Sequence, residues 1–198
     1  MPAKRNAKRP APRLPLLGDE QLSAPQRVLM DAIRSGPRGK AMNVRGPFAA
    51  FIHAPAFGDL AQRLGAHCRY HTALPPRLSE FAILCTARLW RAQYEWYAHE
   101  PMALKAGVSA KSIADLRAGR VPKSAKKDER AIYDFVQELY KTRRVSERTY
   151  KRVRAILDDG AVVELVGILG YYALISMTLN VFRMMPPDDA KLAFAESK

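Results

Sequence analysis

The sequence predicts an all-α fold, built as one domain behind a short basic arm. Three observations predict it. Apolar residues recur at three- and four-residue spacing in segment after segment, the interruptions fall at Gly and Pro, and no stretch alternates apolar and polar residues as a half-buried strand would. A chain of 198 residues, 48% hydrophobic and 26% charged, is long and apolar enough to bury a single core and excludes wholesale disorder.

Met1 to Gly18 carries Lys4, Arg5, Lys8, Arg9 and Arg13 among prolines with no acidic residue, which predicts a disordered basic arm, with the domain running over 19–198. No apolar stretch follows the basic start, so it does not read as a secretory signal. Ser23 caps a helix with Val28, Leu29, Ala32 and Ile33 on one stripe, stopped at Gly36-Pro37. After the segment Gly46 to His53, Pro55 opens a helix with Phe57, Leu60, Ala61, Leu64 and Cys68 on one side. Pro75-Pro76 ends that run and opens the next, where Leu78, Phe81, Ala82, Cys85 and Leu89 keep helical spacing. Gln93 to Ala106 continues helically to Gly107, and Ser109 caps a short piece that ends at Gly119. Beyond a basic connector, 120–127, two amphipathic helices follow, one with Ile132, Phe135, Val136 and Leu139, the other with Tyr150, Val153, Ile156 and Leu157 after Ser146. The last helix contains Leu165 to Phe182, apolar all round, and Pro186-Pro187 terminates the run. Those 18 uncharged residues reach the lower limit of a membrane span, but Glu164 and Arg183 bound them tightly and Ser176, Thr178 and Asn180 lie inside, so a core or subunit-interface helix is expected and no membrane span.

The formal charge is +14. Five of those charges belong to the arm and nine to residues 105–154, while the rest of the chain is balanced. An excess in peripheral segments speaks to association rather than fold, and nucleic acid is not the expected partner. Cys68 and Cys85 are too few for a disulfide framework, lack zinc-ligand spacing and fit a reducing cytoplasm. No metal set is predicted from His53, His67, His71 and His99.

The segment from Arg91 to Pro101 stands apart. Glu95 and His99 are four apart, so on a helix they share a face, and a carboxylate that fixes one imidazole nitrogen leaves the other to exchange a proton near neutral pH. The same spacing also fits an ordinary surface pair. Glu80 lies among Leu78, Phe81 and Leu84; if it is buried with them, desolvation suits it to hold or relay a proton. Tyr94 and Trp96 fit either a pocket wall or ordinary packing, and Arg91 and Arg45 fit either a contact to an anionic substrate or plain surface charge.

The run Leu74 to Leu84, then Tyr94-Glu95-Trp96-Tyr97-Ala98-His99 and Ala106-Gly107-Val108-Ser109, resembles the carboxymuconolactone decarboxylase family within the AhpD-like superfamily. Gly46-Pro47, His53-Ala54-Pro55, Gly170-Tyr171-Tyr172 and Leu179-Asn180 add to the resemblance. It implies a helical fold whose protomers assemble as trimers or hexamers through apolar helices. It also implies an enzyme without metal or organic cofactor, acting on a small unsaturated or lactone acid. His99 would be the general acid/base, Glu95 its orienter and Glu80 a second carboxyl. The alkylhydroperoxidase branch, with its peroxiredoxin-type activity, places a cysteine pair where this chain has Ala92 and Glu95, so the thiol cycle has no residues at those positions.

Overall fold

The computed structural model describes residues 9–40 and 42–195, and every described regular element is helical. In chain order these are α1 (Ala24–Ser35), α2 (Pro47–Phe51), α3 (Pro55–Ala66), α4 (Pro76–Trp90), α5 (Gln93–Lys105), α6 (Ala110–Arg117), α7 (Lys127–Thr142), α8 (Glu147–Arg154) and α9 (Asp159–Phe182). A 3-10 turn, Asp19–Gln21, precedes α1, and a π-helical turn, His67–His71, extends α3.

The boundaries follow from local chemistry. Proline opens α2, α3 and α4, where a missing N–H costs nothing, and Ser109, Ser146 and Asp158 accept from backbone N–H groups to cap α6, α8 and α9. Helix α4 is the centre of the molecule, packing against α9, α5, α7 and α6. Its residues Leu78 through Ala87 are buried without interruption, so Glu80, Ser79 and Thr86 lie inside with the apolar side chains. The exposed alternative for Glu80 is thereby removed; the residue is 9% accessible.

Helix α3 differs from expectation. Its buried face is the small-residue face, Gly58, Ala61, Gln62 and Gly65, whereas Phe57, Leu60 and Leu64 point outward. Close approach explains the choice: a Cβ on Gly58 would stand 2.8 Å from Leu29 Cδ2 and 2.9 Å from the Phe51 carbonyl. Helix α9 is long and apolar enough to cross a membrane by length and composition, yet one side, including Leu165, Ile168, Tyr172, Ile175 and Leu179, is buried against the other helices. Its outward stripe holds Val163, Val166, Met177 and Val181.

Of the arm expected over 1–18, residues 1–8 lie outside the described residues. Residues 9–18 have no helix but are docked: Arg13 donates its backbone N–H to the Phe182 carbonyl (3.0 Å) and a guanidinium N–H to that of Val181 (2.8 Å), while Leu14 and Leu17 pack on the core. At the other terminus the Gln93 carboxamide clamps residues 193–194, accepting from the N–H of Ala193 (2.9 Å) and Phe194 (3.2 Å) and donating to the Phe194 carbonyl (2.7 Å).

Candidate active site

Two residues turn α4 into α5. Arg91 takes the left-handed conformation (φ 52°) and Ala92 an extended one, and their N–H groups cap the α4 carbonyls of Arg88 and Ala87. The reversal lays the two helices side by side and brings Glu80 of α4 to His99 of α5. His99 Nδ1 is 2.8 Å from Glu80 Oε2, and its Nε2 is 2.9 Å from Glu95 Oε1. All three side chains are buried, and the Tyr172 ring of α9 meets the imidazole edge-on at 5.0 Å.

This arrangement changes the role expected for His99. Both ring nitrogens are engaged, so neither stands free, because Glu80 takes the one that Glu95 leaves. A carboxylate only accepts, so the pair of contacts requires an N–H on each nitrogen, or a proton on one carboxyl. Burial alone pushes the imidazole pKa down, but the charges and hydrogen bonds of Glu95 and Glu80 outweigh it and lift it to about 9. The protonated imidazole, so favoured, donates one N–H toward Glu80 and the other toward Glu95, a charge-assisted pair of contacts.

Beside the trio lies a cavity of about 120 Å³. Glu95, His99, Tyr94, Tyr171 and Tyr172 line it, together with Arg38, Arg45 and Arg69. Glu80 stands behind the imidazole. Tyr94 is fixed by the turn before α2, where Gly46 (φ 56°) carries no side chain against the tyrosine ring; the phenol oxygen would be 3.0 Å from a Cβ there. Burial raises the pKa of Tyr94, Tyr171 and Tyr172, so all three present neutral hydroxyls.

Two residues expected at the site are elsewhere. Trp96 is fully buried in the core, its ring edge-on to Phe194 at 5.2 Å and its Nε1–H donated to Glu100 Oε2 at 2.8 Å. Tyr94, Glu95, Ala98 and His99 make up the cavity-facing side of α5, and Trp96, about 200° round the helix from Tyr94, points off that side. Arg91 spends itself on the helix turn, and its guanidinium bonds the Ala195 carbonyl of the C-terminal segment. Arg45, the other cation considered, does line the cavity. Arg38 and Arg69 were missed: Arg38 sits in an irregular loop with no periodic pattern, and Arg69 in the π-helical turn, which displaces it from ideal helical spacing.

No group of three or more His, Cys, Asp or Glu side chains among the described residues is arranged to hold a metal. His53 contacts the Pro15 carbonyl and His67 contacts Glu164, both away from the cavity. Cys68 and Cys85 are buried, and burial raises both thiols, Cys68 to about 11.

Residues 55–138 match the model of the carboxymuconolactone decarboxylase family. The match spans α3 to most of α7 and so contains Glu80, Glu95, His99, Tyr94 and Arg69, whereas Arg38, Arg45, Tyr171 and Tyr172 come from outside it. No curated protein matches the chain.

Proposed function

We propose, from the match of residues 55–138 to the carboxymuconolactone decarboxylase family, that the protein is a cofactor-independent acid/base enzyme acting on a small unsaturated or lactone carboxylic acid. The observation that carries this reading is the proton-holding Glu80–His99–Glu95 chain on the wall of an arginine-lined cavity. In the decarboxylation the bond from carbon to the leaving carboxylate breaks, and CO2 departs. Its electron pair enters the unsaturated system as an enolate whose oxygen faces a guanidinium, Arg45 or Arg69. The developing charge is thus met by a fixed cation in a confined site. The carbon then takes the proton that His99 Nε2 shares with Glu95, and solvent returns a proton through Glu95, so one proton is consumed per CO2 released. Glu80 holds the other N–H and keeps the ring oriented.

Release of CO2 from a panel of unsaturated and lactone acids tests the reading. His99→Gln is expected to lower kcat at least about 100-fold, the usual range for a general acid/base, with the far-ultraviolet spectrum unchanged. Turnover that survives this substitution removes His99 from the chemistry. Thiol-dependent peroxide reduction is the weaker alternative, because both thiols are buried and raised and neither lines the cavity.

The same reading includes assembly into a homo-oligomer. Its support is the outward apolar stripe of α9 together with Phe57, Leu60 and Leu64 on the outer face of α3, more apolar surface than a solvated helix pair needs.

A further inference from the structure

Helix α5 has little of its own to hold its first turns. Its N-cap, Ala92, offers no side-chain acceptor to the first N–H groups, and Pro101 cannot donate to the Tyr97 carbonyl. Glu95 and His99 lie between these two weak points, and their 2.9 Å contact lasts only while residues four apart keep helical register.

The support comes from outside the helix. Tyr94, Glu95, Ala98 and His99 face the cavity, whereas Gln93, Trp96 and Glu100 face residues 191–193 of the C-terminal segment. Gln93, the first residue of α5, bonds Ala193 and Phe194 through its carboxamide. The buried Phe194 ring stands edge-on to Trp96, and the Arg88 guanidinium of α4 lies over the same ring at 5.3 Å. Arg91, in the turn that enters α5, bonds the Ala195 carbonyl. Residues 193–195 thus grip α5 and its entry turn at positions 91, 93 and 96, all within about one turn of Glu95. The near end of the segment is tied as well, because the Arg9 guanidinium donates to the carbonyls of Pro186, Pro187 and Ala190. A tether at one end keeps the other at high effective concentration over its seat.

We propose that residues 193–195 are a positioning strap for the candidate active site, in which Phe194 and Gln93 hold the first turns of α5 in the register that brings Glu95 to His99. Neither residue lines the cavity, so both act through the Glu95–His99 contact rather than on a ligand. The positioning stands on geometry; its bearing on turnover rests on the function proposed above.

Proton NMR titration of the full chain, following the His99 ring C–H signals identified by their loss in His99→Gln, tests this without any turnover. His99 faces Glu80, Glu95 and the Tyr172 ring, and burial lowers its pKa while the two carboxylates raise it. Loosening Glu95 leaves burial less opposed, so Phe194→Ala and Gln93→Leu are each expected to bring the midpoint down from about 9 by at least about one pH unit. Phe194→Leu refills the apolar seat and should keep most of the wild-type value. Met30→Ala removes core packing in α1, which packs on α3, and should move the midpoint by less than about 0.3 pH unit. An unchanged midpoint in both Phe194→Ala and Gln93→Leu overturns the proposal. So does an equal fall in Met30→Ala, which would mean that any loosening of the core moves His99. If Phe194→Ala does not fold, Gln93→Leu decides alone. The expected response in a protein that decarboxylates no acid would sink the decarboxylase reading and leave the strap standing.

Discussion

His99 is where local chemistry and stability meet. Its folded pKa, about 9, lies above the ordinary 6.5, so the interaction favours the folded state most below about pH 6.5 and is lost as pH rises through about 9. Urea unfolding is therefore expected to give a lower free energy at pH 10 than at pH 6, and His99→Gln should flatten that difference. Glu80→Ala leaves a buried imidazolium with one partner fewer, and loss of one member of a buried pair costs about 3–5 kcal/mol; chemical denaturation measures it. Spacing made the Glu95–His99 contact legible, because residues four apart meet on any helix. It did not reveal that Glu80 occupies the second nitrogen, since that contact spans 19 residues and exists only because the Arg91-Ala92 turn folds α5 back on α4.

At the scale of elements, α5 is anchored on the side away from the cavity. Trp96 and Phe194 pack there, and the Gln93 clamp fastens the C-terminal segment over them. Trp96→Ala is expected to destabilise the fold by about 3–5 kcal/mol through the cavity it leaves, readable as a lower denaturation midpoint. The residue is thus structural, although its place between Glu95 and Tyr97 suggested a pocket. Helices α3 and α9 present the opposite case. Apolar residues were readable in both, on one stripe in α3 and all round in α9, but not which face turns inward; in α3, Gly58 and Gly65 permit an approach that Phe57 and Leu64 would block. If the outward faces form the subunit contact, sedimentation should give a multiple of 22.2 kDa, and Val166→Glu should shift it toward the monomer.

Over the whole molecule the excess charge stays in two peripheral segments, and carboxylates interrupt it there. Within 105–154, Asp115 takes Arg120, Asp134 takes both Arg130 and Arg152, and Glu147 takes Lys151, so carboxylates break up the basic surface. Phosphate-driven binding needs several uncompensated cations in register and weakens steeply with salt. No retention of a 20-base-pair duplex at about 150 mM salt is the expected outcome of a mobility-shift assay; binding that persists there would give the basic surface a role of its own.

Capping, proline geometry and a 3.6-residue period act over a few residues, so every helix but α2, most helix ends and the Glu95–His99 pair were legible in the chain. Only the tertiary structure decided that Glu80 completes the trio, that Arg38, Arg45 and Arg69 face one cavity, and that Trp96 and Arg91 do not. Those choices depend on how far glycines let helices approach and where a two-residue turn points the next one. Such distances are set between segments remote in the chain, where no local period reaches.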